Sequence, residues 1–228
     1  MSGPEQPRTP TTATLTGYSL ALNYLPALFL GAGALAVWWA GGWSGRLLVG
    51  LFWIYLLPPL LGRAVLVALG RPQGRDVRQN ERAYKVWWFL AQLQVPFNRL
   101  PALEELLRLV PGLYSAWLNL WGGRVSPFAY WGPGARILDR CLVRVERRAV
   151  IGTGVLLSGH LGLVAEDGEF AVDIAPVTVE EGAIVGAAAA LGPGARVSAG
   201  EMVPSGRSIP PFTVWQGGRK VRESEVAA

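Results

Sequence analysis

The sequence predicts an α+β chain: an apolar helical hairpin, then amphipathic helices, then a stack of short parallel strands. Thr9 to Gly45 contains no charged residue. Residues 81–121 alternate apolar and polar side chains at helical spacing. From Val179 to Ile209 an aliphatic returns at every sixth residue. The composition agrees, since 51% of the 228 residues are hydrophobic and only 16% charged, a balance that leans toward membrane proteins.

Taken in order, residues 1–16 read as a disordered tail and residues 17–70 as a transmembrane hairpin. Within it "YSLALNYLPALFLGAGALAVWWA" exceeds the roughly 20 apolar residues that a spanning helix needs. A short turn around Gly41–Gly45 leads to "LLVGLFWIYLLPPLL", which is followed by Arg63 and "AVLVALG". This second run spans only if Arg63 snorkels or faces protein, and Pro58-Pro59 must kink it. A cleaved signal peptide fits less well, because the basic start is weak and another apolar run follows. Past the hairpin come Arg71, Arg75, Arg78, Arg82 and Lys85 against Asp76 and Glu81, whereas the turn carries only Arg46. Basic flanks stay inside, so both termini are expected on the cytoplasmic side. The same cluster suits anionic membrane lipids. The net charge of +5 does not argue for nucleic acid, because the charge is juxtamembrane and no reading motif accompanies it.

Residues 71–125 read as juxtamembrane amphipathic helices, broken at Pro96, Pro101 and Pro111. Their aromatics (Tyr84, Trp87, Trp88, Tyr114, Trp117 and Trp121) suit headgroup depth or packing against the following domain, and the sequence does not separate the two.

Residues 126–215 carry the repeat. Val179, Val185, Leu191, Val197, Val203 and Ile209 are six apart. A helix repeats its face every 3.6 residues and a strand every two, so a period of six implies a unit that stacks on copies of itself. The residues after the aliphatics, Gly186, Gly192, Ser198, Pro204 and Pro210, fit corners. Ala183, Ala189 and Ala195 stand four after the aliphatic. An upstream block over roughly 133–163 keeps the beat at Val145, Ile151, Leu157 and Leu163, with companions Ile137, Val143, Ala149, Val155 and Leu161. The blocks are out of phase, and "VAEDGEFAVDIAP" between them reads as a loop thrown out of a coil. Loops on rigid scaffolds are where function tends to sit. Residues 216–228 read as a basic C-terminal tail.

His160, the only histidine, lies in "LSGHLG", three residues before the beat breaks. Cys141, the only cysteine, excludes an internal disulfide and any Cys-based zinc motif, and reads as a small buried hydrophobe.

The stretch from "GVLLSGHLG" to "WQGGRKV" resembles the hexapeptide-repeat acyltransferases, in particular their polysaccharide (colanic-acid-type) O-acetyltransferase branch. The match runs through Pro176, Val177, Val179, Gly182, Val185 and Gly186, then Ile209, Pro210, Pro211, Phe212, Thr213 and Val214, and covers about residues 105–222. The resemblance implies a left-handed parallel β-helix of eighteen-residue coils, a homotrimer, and His160 as the general base of acyl transfer. It implies no permanently bound cofactor and no metal, with acetyl-CoA or an acyl carrier protein as co-substrate. Gly186, Ala188, Arg219 and Lys220 are its candidate donor-binding residues. Glu166, Asp167 and Glu169 in the loop are the carboxylates offered to orient the base, and no spacing singles out one. The chain departs from the family at "WQGGRKV", where members often close with "A-G-N-P-A-K-V".

The chemistry fits an imidazole that titrates near neutral pH and can take the acceptor's proton. The resulting expectation is an O-acyltransferase in the bacterial inner (cytoplasmic) membrane, with its catalytic domain cytoplasmic. Its acceptor would be a small-molecule, glycan or lipid-linked hydroxyl or amine. The alternative is a non-catalytic trimeric assembly module tethered to the membrane. A zinc carbonic-anhydrase-like enzyme would need three histidine ligands, and Rossmann or P-loop signals for a nucleotide-sugar enzyme are absent from the sequence.

Overall fold

The computed structural model describes residues 16–222; of the tail expected at 1–16, residues 1–15 lie outside the described residues, as do residues 223–228. Two apolar helical arms come first. Helices α1 (Gly17–Leu22) and α2 (Leu25–Trp39) form one arm, and α3 (Gly42–Leu51) and α4 (Leu57–Leu69) the other. The arms are 23 and 28 residues long, sufficient in length and composition to cross a membrane. A π-helical segment, Phe52–Leu56, joins α3 to α4. It sits just before Pro58 and Pro59, whose missing N–H groups and bulky rings forbid regular bonding to the preceding turn. Gly33 lets the arms close: a Cβ there would lie 2.5 Å from the Trp53 ring, whose Nε1 donates to the Phe29 carbonyl at 3.0 Å.

Strand β1 (Gly74–Val77) leads into α5 (Arg82–Arg99), α6 (Ala102–Arg108) and α7 (Leu113–Leu120). Pro96 does not end α5 as expected from the sequence; it lies in its last turn. Tyr84, Trp87, Tyr114, Trp117 and Trp121 are all buried, so these aromatics serve packing.

The parallel coil follows. Its first turn is β2 (Arg124–Val125), β3 (Tyr130–Trp131) and β4 (Arg136–Ile137). The second is β5 (Val143–Val145), β6 (Val150–Ile151) and β7 (Leu156–Leu157). An antiparallel hairpin, β8 (His160–Val164) and β9 (Phe170–Ile174), projects before the third turn. That turn is β10 (Val177–Val179), β11 (Ile184–Val185) and β12 (Ala190–Leu191); the fourth is β13 (Arg196–Val197), β14 (Met202–Val203) and β15 (Ser208–Ile209). Strands stack in register into three parallel faces: β2, β5, β10 and β13 form the first, β3, β6, β11 and β14 the second, and β4, β7, β12 and β15 the third. β16 (Thr213–Gln216) continues the first face, and β17 (Arg219–Arg222) pairs with it antiparallel, so part of the expected basic tail is strand.

The six-residue aliphatics fill the prism: Val179, Val185, Leu191, Val197, Val203 and Ile209 are each at most 1% exposed. Burying each contributes about 1.5–3 kcal/mol. Trp215, in register with Val197, closes one end of the core. Phe97, Trp117, Leu118 and Trp121 belong to the same core on the helical side.

Leu161 and Leu163 depart from the expected pattern. Both lie in the projecting β8, outside the coil, and Leu161 is 45% exposed. Ile137, read as a companion, is the inward aliphatic of the first turn and pairs with Leu157.

Candidate active site

Two irregularities in the coil create the site. Successive turns are 18 residues apart where Val179 pairs with Val197. They are 20 apart from Val125 to Val145 and 34 apart from Val145 to Val179. Both surpluses fall at one corner, where the third face passes to the first face of the next turn. The first surplus makes the short 3₁₀ segment Arg140–Leu142. The second is the β8–β9 hairpin. Stacking at that corner sets Asp139 directly below Gly159.

His160 opens the hairpin, and its Nδ1 lies 2.7 Å from Asp139 Oδ2. Asp139 is 2% exposed and held from two other sides. Its Oδ2 also accepts from the Gly159 amide at 2.9 Å, and Oδ1 accepts from Trp87 Nε1 at 2.9 Å. The Trp87 ring also packs on the imidazole, with centroids 4.8 Å apart. Ser158 Oγ donates to the His160 carbonyl at 2.7 Å. Nδ1–H donated to the carboxylate fixes the tautomer and leaves Nε2 as the basic nitrogen. Burial lowers the imidazole pKa, but the Asp139 hydrogen bond and charge outweigh it, and the net result lies above the ordinary histidine value of 6.5.

The carboxylates expected to orient this ring do not. Asp167 is at the hairpin tip, paired with Arg78 at 2.9 Å, and its carboxyl is held below the usual range by the Glu169 amide and by Arg78. Glu166 and Glu169 share that exposed tip. The reason is geometric: β8 and β9 pair over five residues, which carries the tip away from the corner where His160 sits. Sequence reasoning missed Asp139 and Trp87. The signal for Asp139 was the two-residue excess between turns.

The candidate donor residues occupy other places. Gly186 and Ala188 form the corner between the second and third faces, and Ala188 adopts φ +55°. A Cβ on Gly186 would meet the Ser205 amide nitrogen at 2.5 Å, so glycine is required by the turn stacked on it. Arg219 and Lys220 are exposed on β17. Within one chain none of these four residues shares the corner that holds His160.

On the other side of Asp139, the neighbouring Arg140 is 1% exposed and faces the helices. It pairs with Glu104, and its Nη1 and Nη2 donate to Gln94 Oε1 at 3.1 Å and Asn98 Oδ1 at 3.0 Å. Tyr114 OH donates to Glu104 Oε2 at 2.5 Å. Cys141 is buried, and burial pushes its thiol up to about 12, so it is inert at neutral pH.

No protein-family model matches the chain, and no curated protein matches it. Among solved structures, a galactoside acetyltransferase in complex with coenzyme A aligns over 57% of this chain and 82% of its own, at 17% identity and TM-score 0.31. A maltose O-acetyltransferase from Clostridium difficile 630 aligns over 55% and 84%, at 14% identity and TM-score 0.26. The apoenzyme of soybean serine acetyltransferase aligns over 91% and 85%, at 20% identity and TM-score 0.23. Likenesses at these scores assign neither family nor activity.

Proposed function

We propose that this chain is a membrane-anchored acyltransferase that moves an acyl group from a thioester to a hydroxyl or amine, with His160 as general base. The observation that carries the reading is the buried Asp139 held 2.7 Å from His160 Nδ1 while Nε2 remains available. A buried carboxylate behind a partly exposed imidazole is the arrangement that fixes a base and stabilises the imidazolium it becomes. Nε2 takes the acceptor's proton as its oxygen or nitrogen bonds to the thioester carbon. The tetrahedral oxyanion collapses, the C–S bond breaks, and the imidazolium returns the proton to the departing thiolate. Backbone amides at the coil corners are the oxyanion donors available to such a site.

The six-residue beat supports a stacked hexapeptide coil, and the resemblance to hexapeptide-repeat acyltransferases implies its left hand and a homotrimer. A trimer would also resolve the separation of Gly186, Ala188, Arg219 and Lys220 from His160, because a neighbour's corner can face the base where the chain's own cannot. Exposed Trp38, Trp39 and Trp43 at the hairpin tip, 75–82% accessible, support insertion to headgroup depth on the far side.

The test is thioester consumption by the full chain in mild detergent, with acetyl-CoA and a membrane lipid and glycan extract as acceptor. General-base catalysis contributes about 10²–10⁴ in rate, so His160→Ala should lose at least about a hundredfold while light scattering still reports the trimer. Near-parental turnover by His160→Ala overturns the reading.

A further inference from the structure

The first face of the coil carries a row of arginines beside the His160 corner. Arg124 pairs in register with Arg144, Arg144 with Thr178, and Thr178 with Arg196. Their strand neighbours Val125, Val145, Val179 and Val197 point inward, so this row points out. It lines a cavity of about 540 Å³ together with Glu180 and Phe212.

The acids at this cavity are already engaged. Glu180 pairs with Arg196 and accepts the Ala199 amide at 3.0 Å. Glu146 Oε2 accepts the Glu181 amide at 3.0 Å. Among the described residues, Arg124 and Arg144 have no carboxylate within ion-pair distance. Arg144 Nε is moreover buried without a hydrogen-bond partner. A buried donor left unpaired on a cationic fork is costly unless an anion completes it. A planar guanidinium fits phosphate oxygens two at a time.

The row continues toward the apolar hairpin. Arg71 Nη2 donates to the Gly122 carbonyl at 2.6 Å, two residues before Arg124. Arg63 Nη1, from α4, stands 3.5 Å from where a Cβ on Gly122 would sit. Burial, offset in part by Cys141, and then repulsion from Arg144, Arg124 and Arg63 hold the Arg71 guanidinium below its usual value. At the opposite edge the cavity reaches Ala175, whose amide donates to the Gly159 carbonyl at 2.9 Å, next to His160. A track of positive charge thus runs from a helix long enough to cross a membrane to the side of the candidate base.

We infer that the Arg124–Arg144 cavity binds the phosphate of a membrane-lipid headgroup. A soluble phosphate would need no track to an apolar helix, and a neutral lipid would leave the arginines unmatched. That this lipid presents the acyl acceptor to His160 rests on the acyl-transfer reading; the binding itself does not.

The test is calorimetric titration of the full chain in neutral detergent. The probes are dioctanoyl phosphatidate, dioctanoylglycerol, inorganic phosphate and coenzyme A. Phosphatidate should bind, and more weakly as salt rises. Dioctanoylglycerol and inorganic phosphate should bind at least about tenfold more weakly. Arg124→Gln/Arg144→Gln should lose at least about tenfold in phosphatidate affinity. The exposed single variant Arg124→Gln gives the same direction should the double variant fold poorly. Arg147→Gln/Arg207→Gln, which removes equal charge elsewhere on the coil, should bind as the parent does. Unchanged phosphatidate affinity in Arg124→Gln/Arg144→Gln overturns the site. Inorganic phosphate or coenzyme A competing as tightly as phosphatidate overturns its assignment to a lipid. His160→Ala should retain full phosphatidate binding, so loss of the acyl-transfer reading and loss of this site register in different measurements.

Discussion

Asp139→Asn is the sharpest probe of the His160 pair, because it keeps shape and changes only charge and donor pattern. Asp139 receives three donors, Trp87 Nε1 on Oδ1, and the Gly159 amide and His160 Nδ1 on Oδ2. An asparagine offers one oxygen. With that oxygen at the Oδ2 position, the His160 tautomer survives but the new NH₂ faces Trp87 Nε1–H. With it at Oδ1, the NH₂ faces the Gly159 amide and donates to Nδ1, which moves the ring proton to Nε2 and would remove the proposed base. Each orientation strands one buried donor, a loss of about 1–3 kcal/mol in stability. In rate, the imidazolium that the proposed mechanism forms in the transition state would also lose its anionic partner. A hydrogen bond to a charged group exceeds a neutral one by about 1–1.5 kcal/mol, which is roughly tenfold. The wrong-tautomer fraction adds to that, up to the full general-base factor of about 10²–10⁴.

The assay is kcat/KM against pH for the parent, Asp139→Asn, and Asp139→Asn/Trp87→Phe. On the proposed acyl-transfer reading the base acts when neutral, so parental activity should rise as pH passes a value above 6.5, the direction in which Asp139 moves His160. Without the carboxylate only the lowering effect of burial remains, so the rising limb of the variant moves to lower pH. Removing the Trp87 donor relieves the clash in the productive orientation, so the double variant should recover the tautomer part of the loss but not the roughly tenfold charge part. An Asp139→Asn profile that keeps the parental limb and rate would refute the reasoning.

Further outcomes follow from the helical side and from the corners. Arg140→Met leaves Glu104 buried without its main cation, and breaking such a pair costs about 3–5 kcal/mol; a thermal midpoint within a degree of the parent would contradict this. Ala188→Gly should be stabilising by about 0.5–1 kcal/mol: φ +55° costs an L-residue about 1–2 kcal/mol, and glycine's greater unfolded freedom returns part of that. Chemical denaturation reads the sign, and a destabilised glycine variant would show the alanine methyl to be needed at this corner.

The coil was legible because its code is local. One aliphatic per six residues points inward, and a misplaced one would face solvent, so the beat from Val179 to Ile209 could be counted directly. The first turn was harder. Val125 and Trp131 keep the beat, but the two surplus residues after Ile137 shift its phase, and Ile137 then looks like a companion position. That same shift hid Asp139. Its contact with His160 spans 21 residues, one 20-residue turn plus one, and a periodicity of six does not reveal it. The hairpin acids drew attention because they are near His160 in sequence, yet strand pairing carries them away in space. Trp87 lies 73 residues before His160, and only tertiary packing brings it there.

The segment 138–142 faces both ways, and this joins the helices to the candidate base. Asp139 points to His160 while Arg140 is locked into α5 and α6 through Gln94, Asn98 and Glu104. Arg71 holds the Cys141 carbonyl from the end of the apolar hairpin. Tyr55 in the second apolar arm accepts from Trp117 Nε1 at 2.8 Å and donates its hydroxyl to the Leu103 carbonyl at 3.0 Å. The helical layer is therefore more than a spacer between the apolar arms and the coil. A coil cut free at Arg124 would keep His160 and Asp139, but it would lose the Trp87 donor and leave Arg140 without its acid. Asp139 would then be fixed by the Gly159 amide alone, and the Arg140 guanidinium, uncovered and without its partners on α5 and α6, would be free to compete with His160 for the carboxylate. If His160 is the base, as proposed, the helices that carry the chain to the apolar hairpin also hold it in one tautomer, through the Trp87 donor to Asp139.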